Sequence, residues 1–60
     1  MQKTLIVGLG KSGIAAYDLL EREGDVVVGF DDNPAAVKKL IELEKKATLT
    51  PPVGEFDRLI

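Results

Sequence analysis

The sequence predicts an α/β fold, a three-layer βαβαβ unit built on a parallel sheet, and three observations carry that expectation. Two short runs, Thr4–Val7 and Asp25–Phe30, are apolar almost throughout rather than alternating, as strands covered on both faces are. An amphipathic stretch of helical length separates them, and a parallel pair requires such a crossover. A second helical stretch and a final β-rich run, Phe56–Ile60, repeat the alternation.

Each element has its own local signals. Thr4–Val7 runs straight into glycines, so a strand enters a tight turn there. Helical character begins near Lys11 or Ser12, where Ile14, Ala15, Ala16, Leu19 and Leu20 form one apolar stripe. Tyr17 stands beside that stripe and reads as packing. Asp18 and Arg22, four apart in the favourable order, belong on the wet side. Gly24 supplies the left-handed residue that commonly ends a helix. Asn33 is a good N-cap and Pro34 suits the first position of a second helix. Val37, Leu40, Ile41 and Glu44 define the inner face of that helix, with Leu43 at its margin. Lys45 and Lys46 complement its negative end, and Glu42–Lys46 reads as a solvated face.

Beyond Ala47 the pattern weakens. Thr48–Thr50 is compatible with a short strand, and Pro51-Pro52 forces extended chain. Only Pro51–Glu55 separate that segment from Phe56–Ile60, too few residues for a parallel crossover between neighbours. If Phe56–Ile60 pairs beside the first strand, the order is 2-1-3, and right-handed crossovers set the two helices on opposite faces. Order 3-2-1 would leave one apolar face bare and open to self-association. The former order is the favoured expectation.

At 60 residues the chain is at most one small domain, 1–60, with residues 3–33 as its βαβ core, and an incomplete one is expected. Folds of this size bury only about 60% of their unfolded surface. With no cysteine and no histidine, neither a disulfide nor a Cys/His metal site can make up the difference. Net charge is −2 with both signs interspersed, which argues against nucleic acid as a partner. The longest apolar runs are far too short for a membrane span. No apolar leader precedes the first strand, so a cytoplasmic location is expected.

Chemistry concentrates in Gly8-Leu9-Gly10-Lys11-Ser12-Gly13, a G-x-G-x-x-G sequence between a strand and a helix with an acidic pair about 20 residues on. Gly8 permits the tight turn, Gly10 removes a side chain where phosphate approaches, and Gly13 lets helix and strand pack closely. The first amides of the helix, reinforced by its dipole, then face an anion. The bland alternative is a glycine turn that only packs a helix on a strand. Lys11 adds charge to such a site or is simply solvated. Ser12 caps the helix or donates to phosphate. Asp31 and Asp32 end the second strand, where an acid in a Rossmann-like site accepts from ribose hydroxyls. Asp32-Asn33-Pro34 is otherwise a capping turn, with Asn33 mainly the cap. No arginine stands beside the pair, which disfavours a 2′-phosphate. The loop lacks the four-residue spacing and Gly-Lys-Ser/Thr ending of a Walker sequence, which argues against direct ATP binding here. No catalytic set and no metal site is expected.

The run Thr4-Leu5-Ile6-Val7-Gly8-Leu9-Gly10-Lys11-Ser12-Gly13-Ile14-Ala15-Ala16, followed by Phe30-Asp31-Asp32-Asn33-Pro34, resembles the N-terminus of the Mur ligases. It is most similar to the branch that adds D-glutamate to UDP-N-acetylmuramoyl-L-alanine in peptidoglycan synthesis. The resemblance covers residues 3 to 40, and Gly-Lys-Ser-Gly-Ile-Ala-Ala is its most specific part. It implies a Rossmann-like domain that binds the UDP moiety of a UDP-linked muramoyl substrate and performs no bond chemistry. Lys11 and Ser12 would meet the diphosphate; Asp31, Asp32 and Asn33 would surround the uridine. ATP and Mg²⁺ would belong to other domains of a parent ligase, which forms an amide through an acyl phosphate. Family members continue after the strand matching Phe56–Ile60 into a Ser-Pro-Gly turn that touches the nucleotide, and the connection before that strand looks shortened here. The alternatives are a NAD-binding module of a dehydrogenase or regulatory domain, with Asp31 on the adenosine ribose, and a folding-only fragment.

Overall fold

A computed structural model describes residues 2–60. Strand β1 (Lys3–Val7) leads through the glycine loop into helix α1 (Lys11–Arg22), and β2 (Val26–Phe30) leads into α2 (Pro34–Glu42). Two short strands follow, β3 (Ala47–Thr48) and β4 (Arg58–Leu59). All pair in parallel in the order β3-β2-β1-β4. The α/β, Rossmann-like reading therefore holds, and the last strand lies beside β1 as expected. Backbone bonds from Val7 N–H to the Ile60 carbonyl (2.7 Å) and from Asp57 N–H to the Lys3 carbonyl (2.8 Å) continue that pairing beyond Arg58–Leu59.

The placement of the helices is corrected. The sheet gains β3 on the far side of β2, so β1→β2 and β2→β3 step in the same direction. Right-handed crossovers then put both helices on one face. Tyr17 and Leu20 of α1 share a single buried cluster with Val37 and Leu40 of α2, above Ile6 and Val27. The third layer is the extended return from β3 to β4, residues 49–57. It closes on the opposite face, where Lys3 Nζ lies 5.0 Å from the centre of the Phe56 ring. Segments 47–48 and 58–59 sit at opposite edges, so the short connection never has to join adjacent strands.

That return covers the outer face only partly. Leu5 is buried, while Val7 is 56% exposed and Val26, Val28 and Phe30 are half-buried. The apolar stripes are narrower than the sequence suggests for the same reason. Leu19, Ile41 and Leu43 are each more than half exposed, because each helix meets the sheet along one line and has no second layer beyond it.

Capping follows the local sequence. The Asn33 side chain accepts from Ala35 N–H at 3.0 Å, with Pro34 at the first helical position. Both helices end in the same way: Asp25 N–H reaches the Leu20 carbonyl and Lys45 N–H reaches the Leu40 carbonyl, each at 3.1 Å or less. The left-handed residue is Gly24 in the first case and Glu44 in the second. Glu44 thus turns the chain instead of lining the core. Lys45 leaves the α2 terminus and pairs with Asp18 (3.0 Å) and Glu21 (2.8 Å) on α1. Arg22, the expected partner of the Asp18 carboxylate, instead donates to the Asp18 backbone carbonyl at 3.4 Å.

Tyr17 ties the layers together. Its hydroxyl donates to the Val27 carbonyl (3.0 Å) and accepts from Lys46 N–H (2.8 Å), joining α1, β2 and the approach to β3. Burial pushes its phenol pKa above the usual value, although the Lys46 bond opposes the shift. Thr4 is equally buried, yet its Oγ1 has no partner among the described residues. These two hydroxyls predict opposite responses to removal. Tyr17→Phe should lower stability by about 1–3 kcal/mol, and Thr4→Val should raise it by about 1 kcal/mol. Urea unfolding followed by circular dichroism measures both.

Candidate functional site

Gly8 turns the chain with φ 96°, a conformation that a side chain would strain. Gly13 lies so close beneath it that a Cβ there would overlap the Gly8 carbonyl oxygen. The first turn of α1 is therefore seated on the end of β1. Gly10 is the N-cap, and a Cβ at Gly8 or Gly10 would meet only open space. The first intrahelical bond runs from Ile14 N–H to the Gly10 carbonyl at 2.9 Å. The amides of Lys11, Ser12 and Gly13 precede it, and no side chain caps them. Ser12 does not cap the helix; like Lys11 it is exposed in the first turn. The arrangement leaves donors and the positive end of a helix dipole facing an uncrowded space.

Leu9 fills a place the motif does not specify. It is 2% exposed and lies over Gly29, where a Cβ would stand 2.7 Å from Leu9 Cδ2. A glycine inside Val-Val-Val-Gly-Phe was the available signal, since glycine within a strand often marks a close approach.

Asp31 is half-buried at the end of β2, and both of its oxygens are engaged. Oδ2 accepts from Leu9 N–H at 2.8 Å and Oδ1 from Asn33 N–H at 2.9 Å. These two bonds, Leu9 first, hold its carboxyl below the usual carboxylate value. Asp32 and Asn33 are exposed alongside it. Val7, Gly8, Phe30, Asp31 and Asp32 line a hollow of about 190 Å³ beyond the carboxyl ends of β1 and β2. Val7 and Phe30 were not among the expected site residues; their place is set by the exposed outer face. The strand order reverses between β1 and β4, the position at which open α/β sheets form ligand crevices. Among the described residues, no group of three or more His, Cys, Asp or Glu gathers as a metal site, and no helix is long and apolar enough to cross a membrane.

Because the folded carboxyl of Asp31 titrates below its unfolded value of about 3.9, its stabilisation is present above that pH and is lost as pH falls through the lower folded value. Wild-type protein should therefore exceed Asp31→Asn in stability above about pH 4, with the gap closing in stronger acid. Paired urea titrations across pH 2–7 measure the difference, and a pH-independent gap would contradict it.

Comparison with known proteins bears out the resemblance read from the sequence. The chain is 50% identical over 48 residues, 77% of its length, to a UDP-N-acetylmuramoylalanine–D-glutamate ligase of Nostoc sp.. It is 44% identical over 45 residues, 75% of its length, to the enzyme of that name from Lachnoclostridium phytofermentans. The same name belongs to a Trichormus variabilis protein, 50% identical over 48 residues. The chain spans about 10% of the length of these curated relatives. No family model matches it, and no solved structure matches it.

Proposed function

We propose that this chain is the UDP-binding part of a Mur ligase that adds D-glutamate to UDP-N-acetylmuramoyl-L-alanine, and that it holds the nucleotide end of that substrate without bond chemistry. The observation that carries the proposal is the first turn of α1, where the amides of Lys11, Ser12 and Gly13 are uncapped beside a loop free of side chains at Gly8 and Gly10. A diphosphate is the anion that suits this opening, with Lys11 and Ser12 reaching it from the same turn. The uridine would extend along the hollow toward Asp31, Asp32 and Asn33. The similarity to three ligases named for a UDP-linked substrate supports the choice of nucleotide.

Binding of this kind contributes to a reaction occurring elsewhere. A substrate gripped by its nucleotide has fewer orientations to lose when its distant carboxylate is activated, so remote contacts lower the entropic part of the barrier. ATP and Mg²⁺ would be bound by other parts of a parent ligase, in the cytoplasm. The rival occupant of the same loop is NAD, whose ribose would meet Asp31.

Calorimetric titration of the chain with UDP and with NAD separates the two. UDP should bind more tightly, and Gly13→Ala should weaken it at least tenfold by displacing the helix from the Gly8 carbonyl (about 1.4 kcal/mol per tenfold). Tighter binding of NAD would refute the ligase reading. Absent binding of either, with circular dichroism intact, would leave a folding unit only.

A further inference from the structure

The glycine loop springs from β1 but is held by β2. Gly8 N–H donates to the Phe30 carbonyl at 2.8 Å, and Leu9 N–H donates to Asp31 Oδ2 at the same distance. The Leu9 side chain fills the space over Gly29. Asp31 Oδ1 meanwhile accepts from Asn33 N–H, so one carboxylate bridges the loop and the turn into α2. With Gly8 and Leu9 fixed, and with Gly13 seated on the Gly8 carbonyl, little freedom is left to the backbone between them.

We infer that Asp31 is a positioning residue for the anion site: it acts on a bound diphosphate through the Leu9 amide and the loop, not through contact with the nucleoside. The inference rests on the nucleotide reading proposed above and assigns one of its residues a different task. Charge supplies the discriminating argument. A carboxylate acting directly on a diphosphate repels it, so its removal would strengthen anion binding. A carboxylate touching only ribose or base would leave a bare diphosphate unaffected. A carboxylate that arranges the amides must weaken both ligands when lost, since misaligned donors no longer converge on the anion.

The experiment titrates the full 60-residue chain, Asp31→Ala and Asp31→Asn with inorganic pyrophosphate and with UDP. Asp31→Ala should weaken both by a similar factor, roughly tenfold for one charge-assisted bond within the site. Asp31→Asn keeps a single accepting oxygen and should recover part of the loss. Without ligand, hydrogen exchange at the Leu9 amide should quicken in Asp31→Ala, a readout independent of affinity. Should Asp31→Ala fail to fold, Asp31→Asn carries the comparison. Weakened UDP binding with pyrophosphate unchanged, or pyrophosphate bound more tightly, overturns the inference while the nucleotide reading stands. Failure of the wild-type chain to bind either probe overturns the nucleotide reading, and the inference with it.

Discussion

Everything at the mouth of this fold depends on the close approach of α1 to the end of β1, where Gly13 lies against the Gly8 carbonyl with no room for a Cβ. A larger residue would push the first turn away from the strand. The amides of Lys11, Ser12 and Gly13 would then point past the crevice instead of across it. The contact also sets the depth of the helix over the sheet, and with it the position of Tyr17 one turn farther along. From there the Tyr17 hydroxyl reaches the Val27 carbonyl and the amide of Lys46, so an approach enforced by one missing side chain is carried to the far edge of the sheet.

Among the described residues the main hydrophobic cluster lies between the two helices and one face of the sheet, with Leu5 buried on the other face. Ion pairs support the helix–helix contact from outside, with Lys45 bridging Asp18 and Glu21 and lying 5.0 Å from the Tyr17 ring centre. Partly exposed pairs of this sort contribute modestly and are screened by salt. The opposite face has only an extended strap over it. Val7 and Phe30 consequently remain accessible beside the glycine loop, and they supply the apolar wall of the hollow there.

Asp31 shows how one residue type serves several ends at a strand terminus. The sequence places it where Rossmann-like domains put a ribose-binding acid, and the fold occupies both of its oxygens with backbone amides. Each carboxylate oxygen can accept more than one bond, so neither contact by itself bars a ligand. Ser12 illustrates the converse. Its hydroxyl is a plausible cap by composition, but with Gly10 as the N-cap it falls two residues inside the helix, where its side chain is left exposed.

The local order was legible from the sequence alone. Strand, glycine turn, helix and strand follow from apolar runs, from glycines with separate steric tasks, and from Asn33-Pro34 as a start signal, because each depends on neighbours a few residues away. The same local spacing located the uncapped first turn of α1 and the acids at the end of β2. Tertiary structure decided what depends on distant partners. A two-residue strand at Ala47–Thr48, too short to carry a periodic signal, pairs with β2 and thereby puts both helices on one face. Leu9 over Gly29, Asp31 on Leu9, and the bare outer wall of Val7 and Phe30 likewise arise only when β1 and β2 stand side by side. Sequence spacing encodes which way a side chain points along its own element; which element it meets is set by the direction of the crossovers, and no local pattern contains that.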